Sequence, residues 1–181
     1  MTLRELLTGA LLQLDRNTDS QTMELWRDKL TRYINDAMID LANDVRPRRT
    51  DPVTVENHTV RIDRLPRTCI KVQALRRDGV RYPFYYGSQT GYICVPGLSD
   101  GEAELTYRYL PNELVSDTDV PELPEWCHSA LIAYVVGRER ASGDAMSIEA
   151  ARACFEIYNS IRRRMRASCG EKDAYSIINC C

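Results

Sequence analysis

Three residues in a row, Trp126-Cys127-His128, are the first place in this 181-residue chain to look for chemistry. A cysteine beside a histidine can be a nucleophile with its base or a pair of metal ligands. The chain has only two histidines, His58 and His128. Neighbours on a helix stand about 100° apart around its axis, so Cys127 and His128 cannot aim at one atom. Helical metal sites use positions three or four apart, and none of Glu125, Trp126, Ser129 or Ile132 supplies a second strong ligand beside His128. The triplet is therefore expected to open a buried helix, with Trp126 and Cys127 packed inward. His58 lies in "ENHTV", which reads as a turn joining two strands; paired with a cysteine it would give a third reading, a cysteine hydrolase. No G-x-S-x-G, Walker or dinucleotide fingerprint is present. The expectation is no catalytic residue, no metal and no cofactor.

Charge offers a different kind of site. Arg46, Arg48 and Arg49 form one basic cluster, and Arg162, Arg163, Arg164 with Arg166 form another. Both fall where helices are expected to end, so cations there would complement the negative end of the helix dipole. The sharper reading is contact with an acidic protein or with passing DNA. The net charge is only −2, so no global field draws the chain to nucleic acid or membrane.

The elements that must hold these residues follow from period. Apolar residues make up 44% and charged residues 28%, which suits one globular domain. No stretch reaches the roughly 18 apolar residues of a membrane span, and the start lacks the pattern of a secretory signal. Synthesis in a cytoplasm, with the seven cysteines mostly free thiols, is expected. Residues 1–46 read as two helices. Thr2-x-x-Glu5 fits a capping box ahead of the stripe Leu3, Leu6, Leu7, Ala10, Leu11 and Leu14. After "DRNTDS", Trp26, Leu30, Tyr33, Ala37 and Leu41 mark a longer helix from about Gln21, which Pro47 stops. Residues 52–110 change to period two and read as about six short strands. Asp78-Gly79 marks a hairpin, and Pro83 an edge or bulge. Tyr82, Tyr85, Tyr86, Tyr92, Tyr107 and Tyr109 crowd this segment, a residue type enriched at interfaces. Residues 121–169 return to two helices, with Pro124 at the first helical position. "ALIAYVV" is apolar all round, and Ile148, Ala151, Phe155, Tyr158, Ile161 and Met165 form a stripe beyond Ser142-Gly143-Asp144. The fold class is α+β: two N-terminal and two C-terminal helices around an inserted antiparallel sheet or sandwich. The organisation reads as a single αα-β-αα domain over 1–169 and a flexible tail over 170–181.

Two stretches carry a resemblance. "RIDRLPRTCIKVQAL" followed by a D-G hairpin, and "LPEWCHSALIAYVVGRERASGDAMSIEAARACFEIYNSIRRRM" with its P-E-x-x-H-x-A-L start and A-x-x-x-F-x-x-Y helix, resemble the head–tail connector (adaptor) proteins of tailed bacteriophages. The likeness covers about residues 20–168. It implies a structural virion protein at the neck, made in the host cytoplasm. Such proteins form a ring, commonly of twelve identical subunits, that joins the portal protein to the tail and extends the DNA channel. A downstream tail or neck protein docks below, DNA passes non-specifically through the lumen, and no membrane is involved.

The resemblance carries over no catalytic residues. From this sequence itself, Tyr175, Ile177 and Ile178 are the candidate portal or subunit interface, being apolar groups on a segment too short for its own core. Arg46, Arg48, Arg49, Arg162, Arg163 and Arg164 are the candidate charged-interface or DNA-channel contacts. The alternative is a DNA-binding or packaging accessory protein built on the same arginines.

Overall fold

The computed structural model describes residues 1–87 and 90–169. Among them are four α-helices and seven strands. The described chain divides into two compact units: Met1–Arg4 with Arg46–Glu122, and Glu5–Val45 with residues 123–169.

The first unit is one antiparallel sheet of β1 (Arg48–Glu56), β2 (Thr59–Arg61), β3 (Cys69–Arg77), β4 (Val80–Tyr82), β5 (Tyr85–Tyr86), β6 (Tyr92–Cys94) and β7 (Gly101–Tyr109). Their spatial order is β4-β3-β7-β1-β2-β6-β5. The two edge strands, β4 and β5, are thus joined by Pro83 and Phe84 alone. Seven strands laid flat would separate the edges by about 29 Å at the usual strand spacing. Three Cα–Cα steps span at most about 11 Å, so the sheet must curl. The Tyr86 hydroxyl accepts the Val72 N–H of β3 at 2.9 Å, tying one edge back toward the other. A single curled sheet replaces the sandwich alternative, with seven strands among the described residues where about six are expected.

Local sequence sets the turns. Asn57-His58 (φ 51° and 57°) and Asp78-Gly79 (φ 52° and 78°) both occupy the left-handed region that tight hairpins need. Pro83 lies between the edge strands, where no ladder hydrogen bond is asked of it. β7 alternates Ala103, Leu105 and Tyr107 inward with exposed Glu102 and Glu104. These join Val55, Val60, Val72, Leu75 and Ile93 in the sheet's core. The sheet begins at Arg48, four residues earlier than its period suggests, because β7 is long enough to pair with Arg48 and Arg49.

The second unit is helical: α1 (Leu3–Gln13, whose first two residues group with the sheet), α2 (Ser20–Val45), α3 (His128–Arg140) and α4 (Ala145–Cys169). Asp19 receives the Thr22 N–H at 2.9 Å, and Asp144 receives that of Ser147 at 2.9 Å, so each caps the helix that follows. Arg46, at φ 55°, and Pro47 stop α2. Its buried stripe is Leu30, Ile34, Ala37, Met38, Leu41 and Ala42; Trp26 and Tyr33 sit at its margin, half-buried. α3 packs on both α2 and α4, and α2 also meets α4. Ala130 to Ala133 and Val135 to Gly137 are all buried, as an all-round apolar helix requires. The Phe155 ring lies over Gly137, where an added Cβ would come within 3.1 Å of it. Ile148, read as part of the packed stripe of α4, is 41% exposed; Ala151, Tyr158 and Met165 are buried.

Candidate interaction surfaces

The Trp-Cys-His row is built differently from the expectation. Pro124 does not enter a helix at once. It precedes a 3-10 turn, Glu125–Cys127, and α3 begins only at His128. That offset rotates the row, so Cys127 and His128 point inward and Trp126 is 41% exposed. The Cys127 thiol donates to the Pro124 carbonyl at 2.7 Å. His128 Nε2 lies 3.0 Å from the Leu123 carbonyl, which can only accept, so that nitrogen carries the proton. Burial pulls the His128 pKa below its usual value, against the opposing pull of the Leu123 carbonyl. His58 is similarly occupied: its Nδ1 donates to the Leu98 carbonyl at 2.8 Å. Among the described residues no three His, Cys, Asp or Glu side chains gather as metal ligands would. Cys69, Cys94, Cys127 and Cys154 are free thiols.

The two arginine clusters separate by use. Arg48 and Arg49 stand on β1, not at a helix end, which corrects the dipole reading for them. Arg49 Nε binds both oxygens of Asp51, at 2.7 and 2.8 Å. The Tyr107 hydroxyl donates to the same carboxylate at 2.6 Å. Burial pushes the Asp51 pKa up, but the bonds from Tyr107 and Arg49 outweigh it and hold the group below the usual range. Burial first, then Asp51, pushes Tyr107 up to about 12.

On α4, Arg162 binds Asp40 at 2.9 Å and also the Asp44 carboxylate, while Arg166 reaches Asp44 at 2.8 Å. The Tyr158 hydroxyl donates to Asp40 at 2.6 Å. These bonds clamp α4 to α2 and occupy Arg162 internally. Arg163 is exposed and bonds the Asn159 carbonyl at 3.3 Å. Arg164 lies 5.0 Å over the exposed Trp126 ring. Arg46 is exposed beside Pro47.

The tyrosines also divide. Tyr107 is fully buried, whereas Tyr85 and Tyr86 on the edge strand β5 are 62% and 57% exposed. Val80 on β4 (56%) and Ile70 on β3 (49%) are exposed apolar groups of the same sheet. Tyr175, Ile177 and Ile178 lie outside the described residues.

Exposed apolar side chains thus occur in both units, and the described residues gather no cluster of metal ligands. The family model for the SU10 adaptor protein matches residues 1–175, nearly the whole chain. The chain belongs to the SU10 adaptor protein family. This is a family of phage head–tail adaptors, which bears out the resemblance read from the D-G hairpin and the C-terminal helix pair. An SU10 adaptor is a structural component of the virion, and that role implies a non-enzymatic protein. Its partners are other phage head or tail proteins. Comparison with curated proteins finds no match. No helix among the described residues is long and apolar enough to cross a membrane.

Sequence reasoning missed Asp40, Asp44 and Asp51 altogether. Asp40 and Asp44 sit 122 and 118 residues from Arg162, and nothing local marks them. One signal existed for Asp51: a carboxylate on an inward-facing strand position must have a partner.

Proposed function

We propose that identical copies of this chain, twelve in number, close into a ring at the virion neck beneath the portal. The ring joins the portal to the tail, extends the DNA channel and presents its far side to the next tail or neck protein. The observation that carries this reading is the family match over residues 1–175. The exposed Tyr85 and Tyr86, on the edge strand β5, support a contact role for the sheet. Arg46, Arg48, Arg49, Arg162, Arg163 and Arg164 are proposed as the contacts for a charged partner or the lumen, with Arg49 and Arg162 also binding carboxylates of their own unit. Tyr175, Ile177 and Ile178 are proposed as the portal-docking segment.

Co-expression with the portal protein of the same phage tests the reading. Co-purification in one large complex is expected, with loss of the complex on deletion of residues 171–181. Failure to associate would overturn the portal contact. Tight, salt-sensitive binding of free DNA by the isolated chain would favour a packaging accessory instead.

A further inference from the structure

Helix α4 carries two apolar stripes, and one of them is buried within its unit. Ala151, Tyr158 and Met165 are buried. Roughly 130° around the axis, Met146, Ala150, Ala153 and Ile157 recur at intervals of four, three and four, continued by Ser160 and Arg164. That is the spacing of a helix–helix seam. Met146 is 83% exposed and Ile157 54%, so the seam is open along most of its length; Leu14 and Arg16 border it beside Met146 and Ala150, and Trp126 borders it at Arg164.

We infer that this face pairs with the same face of a second copy, the two α4 helices running antiparallel about a two-fold axis. The flanking charges select that occupant and direction. Glu149, Arg152, Glu156 and Arg163 line one side of the seam, and all four are exposed. The opposite side carries Ser147, Cys154 and Ile161, which are uncharged and half-buried. A parallel pair would set the charged side of one helix against the uncharged side of the other and gain nothing. An antiparallel pair sets the charged side against itself in reverse order. Glu149 then faces Arg163 of the second copy, and by symmetry Arg163 faces Glu149. Glu156 meets its own counterpart at the axis, and each is neutralised by Arg152 of the second copy.

The same register keeps the seam in step. Ala150 falls opposite Ser160, Ala153 opposite Ile157, and Met146 opposite Arg164. Small residues let the helices approach closely at Ala150 and Ala153, and Ile157 fills the space beside them. Arg164 lies over Trp126, so Met146 of the second copy reaches a half-exposed aromatic ring at the end of the seam, a favourable sulfur contact.

A two-fold contact closes on itself and generates no ring. The pair is therefore a state of the free protein, one that occupies Arg163 and Arg164 before assembly, and it is independent of whether the ring reading holds.

The test is the mass of the full chain in solution, by sedimentation velocity at tens of micromolar and low salt. The expected species is a dimer, twice the 20.7 kDa of one chain. Ile157→Asp, at a half-exposed position, should give monomer with an unchanged thermal melt. Glu149→Arg alone and Arg163→Glu alone should also give monomer, and the two together should restore the dimer. A wild-type monomer under these conditions overturns the inference. So does a dimer indifferent to Ile157→Asp, or a charge swap that fails to restore pairing. Loss of the dimer on deleting residues 171–181 would assign the contact to that segment instead. Rings in place of dimers would assign it to a head-to-tail contact.

Discussion

Removing the Tyr107 hydroxyl should destabilise the sheet unit, and the size of the loss can be worked from its surroundings. Tyr107 is fully buried and Asp51 is 6% exposed, so neither group can turn to water. Tyr107→Phe deletes one hydrogen bond to an ionised carboxylate, worth about 1.5–3 kcal/mol. Asp51 keeps Arg49, but that side chain is 45% exposed, and a solvated ion pair offsets under about 1 kcal/mol. Asp51→Ala strands the buried hydroxyl, at about 1–3 kcal/mol. The two losses share one bond, so the double variant should cost about 1–2 kcal/mol less than their sum. For a chain of this size each kcal/mol is about 2–4 °C in Tm. Calorimetric melts of the two single variants and the double variant are the assay. A Tyr107→Phe melt within about 1 °C of wild type, or strict additivity, would refute the reasoning.

Other outcomes follow from the same contacts. Asp51, held below its ordinary pKa, contributes stability that is present above about pH 4 and lost as pH falls through its folded value. Tyr107, raised to about 12, contributes stability that is present below about pH 10 and lost as pH rises through 12. His128, lowered by burial, is protonated first in the unfolded chain, so Tm should begin to fall below about pH 6.5; His128→Gln should remove that part of the slope in a pH series of melts. Ala133→Asp places a charge at a position 6% exposed and should cost more than about 3 kcal/mol, with a wild-type melt contradicting it. Asp44→Ala releases Arg162 and Arg166 together, but Arg166 is 56% exposed and Arg162 keeps Asp40; a loss of about 1–2 kcal/mol in urea unfolding is expected, and none would show the clamp to be idle.

Much of the helical unit was legible because period and capping are local. "ALIAYVV" announced a buried helix, and "DRNTDS" and Ser142-Gly143-Asp144 announced the breaks on either side of which Asp19 and Asp144 now cap. The Trp126 direction was misread because one 3-10 turn after Pro124 shifts the phase of every side chain behind it. In the sheet, Asp78-Gly79 fixed a hairpin, but curling depends on which strands become edges, and pairing across the chain leaves no local trace. Arg162 was visible as charge and invisible as a clamp, since its carboxylates lie on another helix. On α4 the stripe through Ala151, Tyr158 and Met165 is legible from period alone, whereas the second stripe through Met146 and Ile157 stands out only by its exposure.

A cryo-electron reconstruction of the phage neck tests most directly whether this chain has a structural place in the virion. A ring of this chain fitted between portal and tail, curled sheet and four helices recognisable in each of twelve copies, is the expected result. A virion whose neck contains no density for this chain, or a single copy off the axis, would contradict it.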